Sequence, residues 1–176
     1  MEEKKLKVKT SKLITEFEEC QQTCTSTKVL DLACGDGRNG LWFAERGYQV
    51  TFIDRSLAGI DARPTTQHFL EWNLEDGSAP NLLVAEYDLI LVFNYLHRPL
   101  FPQIRAAIKP GGLIIYETFI DKQAEIGRPK NPKFLLKQDE LKSEFAHWSC
   151  LHYFEGEIFN HAGVSQKAQL IARKPD

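Results

Sequence analysis

Val29-Leu-Asp-Leu-Ala-Cys-Gly-Asp-Gly-Arg-Asn-Gly40, with Asp54 closing the next apolar run, is the stretch that decides how this chain is read. It has the form of a buried strand (28–32), a tight glycine turn, a helix start (38–45) and an acid at the tip of a second strand (48–53). Backbone N–H groups at such a turn approach an anionic group, and the acid accepts hydrogen bonds from ribose hydroxyls. The segment is therefore suited to a nucleoside-containing cofactor. Gly35-x-Gly37-x-x-Gly40 matches the literal dinucleotide pattern, which is weak on its own. Asp31, four residues before the first glycine, separates the candidates. A carboxylate facing the pocket repels a pyrophosphate but suits an ammonium group, directly or through water. S-adenosyl-L-methionine carries an ammonium, a sulfonium, a carboxylate and a ribose, and no phosphate. Asp31 favours it over NAD.

Asp31-Leu-Ala-Cys-Gly-Asp-Gly-Arg-Asn39 resembles motif I of the class I S-adenosylmethionine-dependent methyltransferases. The continuation Leu41-Trp-Phe-Ala-Glu-Arg-Gly-Tyr-Gln-Val-Thr-Phe-Ile-Asp54 is similar to the small bacterial enzymes grouped with tellurite-resistance methyltransferases. Lys109-Pro-Gly-Gly-Leu-Ile-Ile-Tyr116 resembles the turn into the fifth strand of the same superfamily. The resemblance runs from 27 to 175 and is specific for cofactor and fold, much less so for substrate. Successive βα units alone imply a parallel sheet with right-handed crossovers and flanking helices. The resemblance adds the rest: an α/β, doubly wound, Rossmann-like sheet of seven strands, mostly parallel with one antiparallel strand. Helices are expected on both faces, the second crossover helix being shortened.

With 176 residues, 43% apolar and 26% charged, the chain is expected to form one domain over 1–176 with a proper core. Residues 1–26 then hold an N-terminal helix over the cofactor site and 119–136 a substrate lid. The net charge of −2, without a dense Lys/Arg block, disfavours a nucleic-acid partner. No apolar run approaches the roughly 20 residues of a membrane span, and the N-terminus lacks a signal-like stretch. A cytoplasmic protein without membrane contact, monomeric or homodimeric, is the expectation. The four cysteines include no C-x-x-C pair, so Cys20 and Cys24, on one helix face, read as small thiols, and no metal is expected.

Along the chain, helical spacing covers 12–23. Only about a dozen residues, including Gly59 and Pro64, separate Asp54 from the extended run 66–71, which leaves room for one helical turn near 56–61. A short helix is expected at 81–86. The continuous apolar run 87–93 reads as a strand buried on both faces. A helix at 100–108 ends at Lys109-Pro-Gly-Gly112, and the fifth strand follows at 113–117. Helix 139–145 and strands 148–155 and 164–173 complete the chain, the last two as a hairpin at the sheet edge.

Ligands in open α/β sheets bind beyond the carboxyl ends of the strands. The cofactor candidates there are Asp31, Ala33, Gly35, Gly37, Arg38, Asn39, Asp54, Arg55, Ser56, Asn73, Leu74 and Phe93. Gly35 and Gly37 admit the methionine part, Asp54 the ribose diol, and Arg38 pairs with the carboxylate or is a surface arginine. By resemblance, Asn73 and the Leu74 backbone meet the adenine edge. The catalytic candidates are Tyr95, His97 and Glu117. Tyr95 is expected to face the transferred methyl; His97 is a general base or a structural loop anchor; Glu117 orients or deprotonates a nucleophile, or is a structural acid. Substrate contacts are assigned to Asn94, Arg98, Phe119, Arg128, Asn131 and Phe134. Arg98 binds an anionic group or is solvated. Arg128, Asn131 and Phe134 belong to a lid segment with two prolines and a Phe-Leu-Leu end, and are expected to point inward.

The sequence therefore points to methyl transfer from S-adenosyl-L-methionine, with S-adenosyl-L-homocysteine as product, to a small-molecule acceptor. Rival readings are an RNA or protein acceptor, a cofactor-binding domain without transferase activity and, last, an NAD-dependent oxidoreductase.

Overall fold

The computed structural model describes residues 9–18, 28–61, 63–160 and 163–176. Strand β4 (Tyr87–Phe93) is its centre, and its residues are apolar on both sides because both sides are covered. β1 (Lys28–Leu32) pairs with it in parallel on one side, and β5 (Ile108–Phe119) on the other. Beyond β1 lie β2 (Gln49–Asp54) and β3 (His68–Glu71); beyond β5 lie β7 (Gly163–Arg173) and β6 (Ser149–Asn160). The order is β3-β2-β1-β4-β5-β7-β6, and β7 alone runs antiparallel to its neighbours.

Side-chain alternation splits the core in two. On one face, Val29, Val50, Phe52, Leu89, Leu91 and Ile115 pack with Leu13 and Ile14 of α1 (Lys12–Glu16) and Phe43 of α2 (Arg38–Ala44). On the other, Leu30, Ile53, Ile90, Val92, Ile114 and Tyr116 pack with Phe101 and Ile104 of α3 (Phe101–Ala107). α4 (Gln123–Ile126) lies after β5, and α5 (Glu140–Glu144) adds Leu141 to the second face. No helix among the described residues is long and apolar enough to cross a membrane.

Several expectations shift. The β2–β3 connection carries turns and no helix among the described residues, so the helical turn expected near 56–61 is not formed there. The helix expected at 81–86 is absent. The Ala85 and Glu86 N–H groups donate to the carbonyls of Ala106 and Ala107 at the end of α3, and Gln103 Oε1 takes the Leu82 N–H at 3.1 Å. That backbone satisfies another helix instead of forming one. The N-terminal helix covers Lys12–Glu16 and ends at Phe17; residues 19–23 of its predicted span, Cys20 among them, lie outside the described residues, as does Cys24. β6 extends to Asn160, longer than the alternation indicated.

The helix α2 sits close on the sheet because Gly40 has no side chain. A Cβ there would lie 2.4 Å from Phe52 Cε1 and 2.7 Å from Asp31 Oδ2. Gly40→Ala is expected to destabilise the protein by about 1–3 kcal/mol, the usual range for overpacking, measured by urea unfolding. An unchanged midpoint would show that the helix floats free of the sheet.

Candidate functional site

The chain leaves β1 towards β2 and leaves β4 towards β5, so the crevice between the tips of β1 and β4 is the topological switch point. Both tips turn through left-handed backbone at residues that are not glycine, Ala33 with φ 55° and Asn94 with φ 55°. Such strain costs on the order of 1–3 kcal/mol and gathers at ligand sites.

The glycine loop is built around a buried acid. Asp31 Oδ2 accepts the Gly40 N–H at 2.8 Å. Burial pushes the Asp31 carboxyl up to about 7, against the pull of that hydrogen bond. The loop is tied to β2 by Cys34 N–H to Ile53 O at 3.0 Å and by Gly35 N–H to Asp54 Oδ2 at 2.8 Å. Asp54 Oδ1 accepts the Ser56 N–H at 3.1 Å. A carboxylate has about four lone-pair sites, so Asp54 keeps capacity for a diol. Gly35, at φ +57°, has nothing within 4 Å of where a Cβ would stand. Open space therefore faces the loop. Arg38 Nε is shielded from solvent and has no hydrogen-bond partner among the described residues, while its Nη1 lies 3.6 Å from Asp36 Oδ1. Asn39 is buried; its Oδ1 accepts the Ser11 N–H at 3.0 Å and docks the start of α1.

At the β3 tip, Asn73 Oδ1 accepts the Glu75 N–H at 3.1 Å, and the Asn73 side chain is also within reach of Asp76. Leu74 packs on the core. Arg55 is exposed, and Ser56 Oγ accepts the Ala58 N–H at 3.4 Å.

The tips of β4 and β5 carry a buried polar chain. Lys167 Nζ donates to Asn94 Oδ1 at 2.6 Å and to Glu117 Oε1 at 2.8 Å. Gln169 Nε2 donates to Glu117 Oε2 at 2.8 Å, and Gln169 Oε1 meets His152 Nε2 at 3.2 Å. The His152 ring rests 4.3 Å from that of Phe17, and the Lys167 ammonium lies 4.9 Å from the Phe119 ring centre. Glu117 and Lys167 are 6% and 4% exposed. Each Glu117 oxygen accepts one buried hydrogen bond, which fits the structural acid. Phe93 is buried at the β4 tip. His97 is half-buried, and its ring makes no hydrogen bond or ion pair among the described residues.

The model of the tellurite resistance protein TehB family matches residues 3–168. The chain belongs to the TehB family. It is 32% identical over 167 residues to a probable S-adenosyl-L-methionine-dependent methyltransferase TehB of Haemophilus influenzae, covering 84% of this chain and 57% of that protein. It is 31% identical over 175 residues to hemagglutinin 1 of Eikenella corrodens, covering 89% and 58%. The crystal structure of TehB from Haemophilus influenzae superposes with a TM-score of 0.71 at 22% identity, over 91% of this chain and 62% of that one. The chain thus spans somewhat over half the length of the curated relatives it matches.

In this TehB family member the segment 119–136 is an ordered loop whose ends meet. Leu136 N–H donates to Phe119 O at 2.9 Å, Asp121 N–H to Leu136 O at 2.9 Å, and buried Gln123 ties Arg128 O to the Gln166 N–H. Leu135 and Leu136 turn into the core. Arg128, Asn131 and Phe134 do not point inward. All three are exposed, and Asn131 Oδ1 accepts the Lys133 N–H, because the buried anchorage goes to the leucines. Arg98 is half-buried and already engaged. Its guanidinium grips Glu140 at 2.6 and 2.9 Å and also donates to the Lys133 and Leu135 carbonyls.

Lys167 and Gln169 were not among the residues singled out by sequence. Their signal was two-residue spacing with Ile171 on a strand paired to the central β5, which puts them on a buried face.

Asp31 sets a pH dependence. Its folded-state value, about 7, lies above the ordinary 3.8, so the folded protein holds a proton that the unfolded chain releases. Stability should fall as pH rises from about 4 to about 7 and then level off. Asp31→Asn keeps an acceptor for Gly40 and removes the titration. The melting temperature of the variant should gain on wild type across that window; a gap independent of pH would refute the assignment.

Proposed function

We propose that this chain is an S-adenosyl-L-methionine-dependent methyltransferase acting on a small molecule by in-line displacement. The observation that carries the proposal is the crevice at the β1–β4 switch point, where open space before Gly35 meets the Asp54 carboxylate and the partnerless Arg38 Nε. These groups fit the cofactor. Gly35 and Gly37 admit it to the backbone, and Asp54, flanked by Arg55 and Ser56, accepts from the ribose hydroxyls. The Asn73 amide and the Leu74 backbone N–H read the adenine edge, Arg38 Nε pairs with the carboxylate, and Ala33 and Phe93 wall the methionine part. Asp31, once ionised above about pH 7, supplies negative charge beneath the loop that favours the ammonium. The sequence relatives named as probable methyltransferases support the same reading.

When bound, the cofactor supplies a methyl group on a sulfonium that is already an excellent leaving group. The chain's contribution is then alignment, which alone can accelerate a reaction greatly. Asn94, its carbonyl held by Lys167, turns its amide donor to the acceptor, and Phe119 flanks it. His97 is the base where the acceptor needs one, since Glu117 is held in place by Lys167 and Gln169. A small acceptor is supported by the net charge of −2 without a cationic block.

The test is thermal stabilisation by S-adenosylhomocysteine and, separately, NAD. A ligand at 100 times its dissociation constant adds about 2.7 kcal/mol. S-adenosylhomocysteine alone should stabilise; a response only to NAD would overturn the proposal. Gly35→Ala introduces backbone strain but no clash, so its affinity for S-adenosylhomocysteine should fall by more than tenfold while its own melting temperature drops only modestly. With an acceptor in hand, His97→Ala should slow transfer and leave that affinity intact; an early-melting variant would make His97 a loop anchor instead.

A further inference from the structure

Tyr95 stands next to Asn94, yet the two serve opposite sides of the sheet. The side chains of Glu117, Lys167 and Gln169 alternate in step with Ile115 and Ile171, which belong to the face covered by α1 and α2. Tyr95 packs against the other core, with Ile53, Leu82 and Leu96, and Trp72 and Leu74 from the β3 tip pack against that same core. Its backbone is fixed from two directions: the Asn94 N–H donates to Glu117 O at 2.8 Å, and the buried Tyr116 hydroxyl donates to Tyr95 O at 3.0 Å. The ring therefore has little freedom to seek a partner. Its hydroxyl is shielded from solvent and makes no hydrogen bond of normal length among the described residues. Burial above all, then the Glu75 carboxylate within its reach and the charge of Asp54, hold its proton on. A shielded phenol kept protonated on the side of the β2 and β3 tips is a donor that a ligand can engage, since buried hydroxyls are rarely left without a good partner.

We infer that Tyr95 binds the nucleoside part of the cofactor, its hydroxyl donating to a ribose or adenine acceptor atom, and does not face the transferred methyl. The inference rests on the methyltransferase reading of the site. It moves Tyr95 from the chemistry to the grip on the cofactor, and it extends the nucleoside pocket from the β2 and β3 tips to the loop after β4.

Tyr95→Phe removes the hydroxyl and keeps the ring. Calorimetric titration of the full chain with S-adenosylhomocysteine and with 5′-methylthioadenosine, which has the nucleoside but no amino acid, tests the assignment. The variant should bind both ligands about tenfold more weakly, the loss expected for one buried hydrogen bond. Its ligand-free melting temperature should stay level or rise, because a shielded hydroxyl without a good partner is removed. Undiminished affinity, a loss confined to S-adenosylhomocysteine, or an earlier ligand-free melt would each overturn the inference. If wild type binds neither ligand, the cofactor reading itself falls and takes this inference with it. Wild-type binding with an unaffected variant leaves the cofactor reading standing and removes only the role of Tyr95.

Discussion

The hydrogen bond from the Gly40 N–H to the buried Asp31 carboxylate governs the glycine-loop half of the molecule. Burying a carboxylate is costly, and one backbone donor offsets only part of that cost, which is why the acid holds its proton so far above the ordinary range. The bond forms only if the first turn of α2 lies on the sheet, and the bare Cα of Gly40 allows that approach. Once α2 is seated, the loop before it has few conformations left, and its N–H at Gly35 meets Asp54. α1 then docks on α2, with Asn39 accepting the Ser11 N–H and Thr10 donating to the Arg38 carbonyl. The N-terminal segment is thus positioned by contacts that all trace back to one buried acid.

The other half is organised by a different constraint, the register of β7 against β5. Phe119 faces Lys167 and Glu117 faces Gln169 across this antiparallel pair. A slip of one residue would send Lys167 to the opposite face, among Ala168, Leu170 and Tyr116, with no carboxylate to meet it. A buried ion pair adds little net stability over an apolar pair, but breaking it leaves a buried charge without a partner. The Glu117–Lys167 pair therefore penalises wrong registers more than it rewards the right one. The same contact fixes Asn94 at the β4 tip.

What could be read in the sequence follows from which forces are local. The apolar run 87–93 and the strand 28–32 were legible to the residue, because burial on both faces writes itself into composition. The glycine loop was legible because the left-handed backbone at Gly35 and Gly37 favours glycine. The missing helix at 81–86 was not, since those residues satisfy the end of α3, a partner roughly twenty positions away. The roles of Arg98 and Asn39 were hidden for the same reason: Arg98 is fixed by Glu140, 42 residues distant, and Asn39 by Ser11, 28 residues distant. A polar residue next to a motif looks functional until its hydrogen bonds are known. Lys167 shows the converse, a residue with no motif around it whose position at a strand tip makes it central to the site.

The two-faced sheet also divides the labour of the crevice. The polar chain from Asn94 to His152 lies on the α1 side, whereas Tyr95 and the ends of the 119–136 loop, Ile120 and Leu136, belong to the α3 side. Arg98, clamped to Glu140 and to the loop carbonyls, binds that loop to α5 and so holds the α3 side rigid. A rigid wall on one side and a hydrogen-bonded floor on the other suit a reaction whose barrier is lowered mainly by alignment. Glu117 fits that division. Its two engaged oxygens make it a fixed point from which Lys167 and Asn94 take their positions, and such a group serves geometry better than proton transfer.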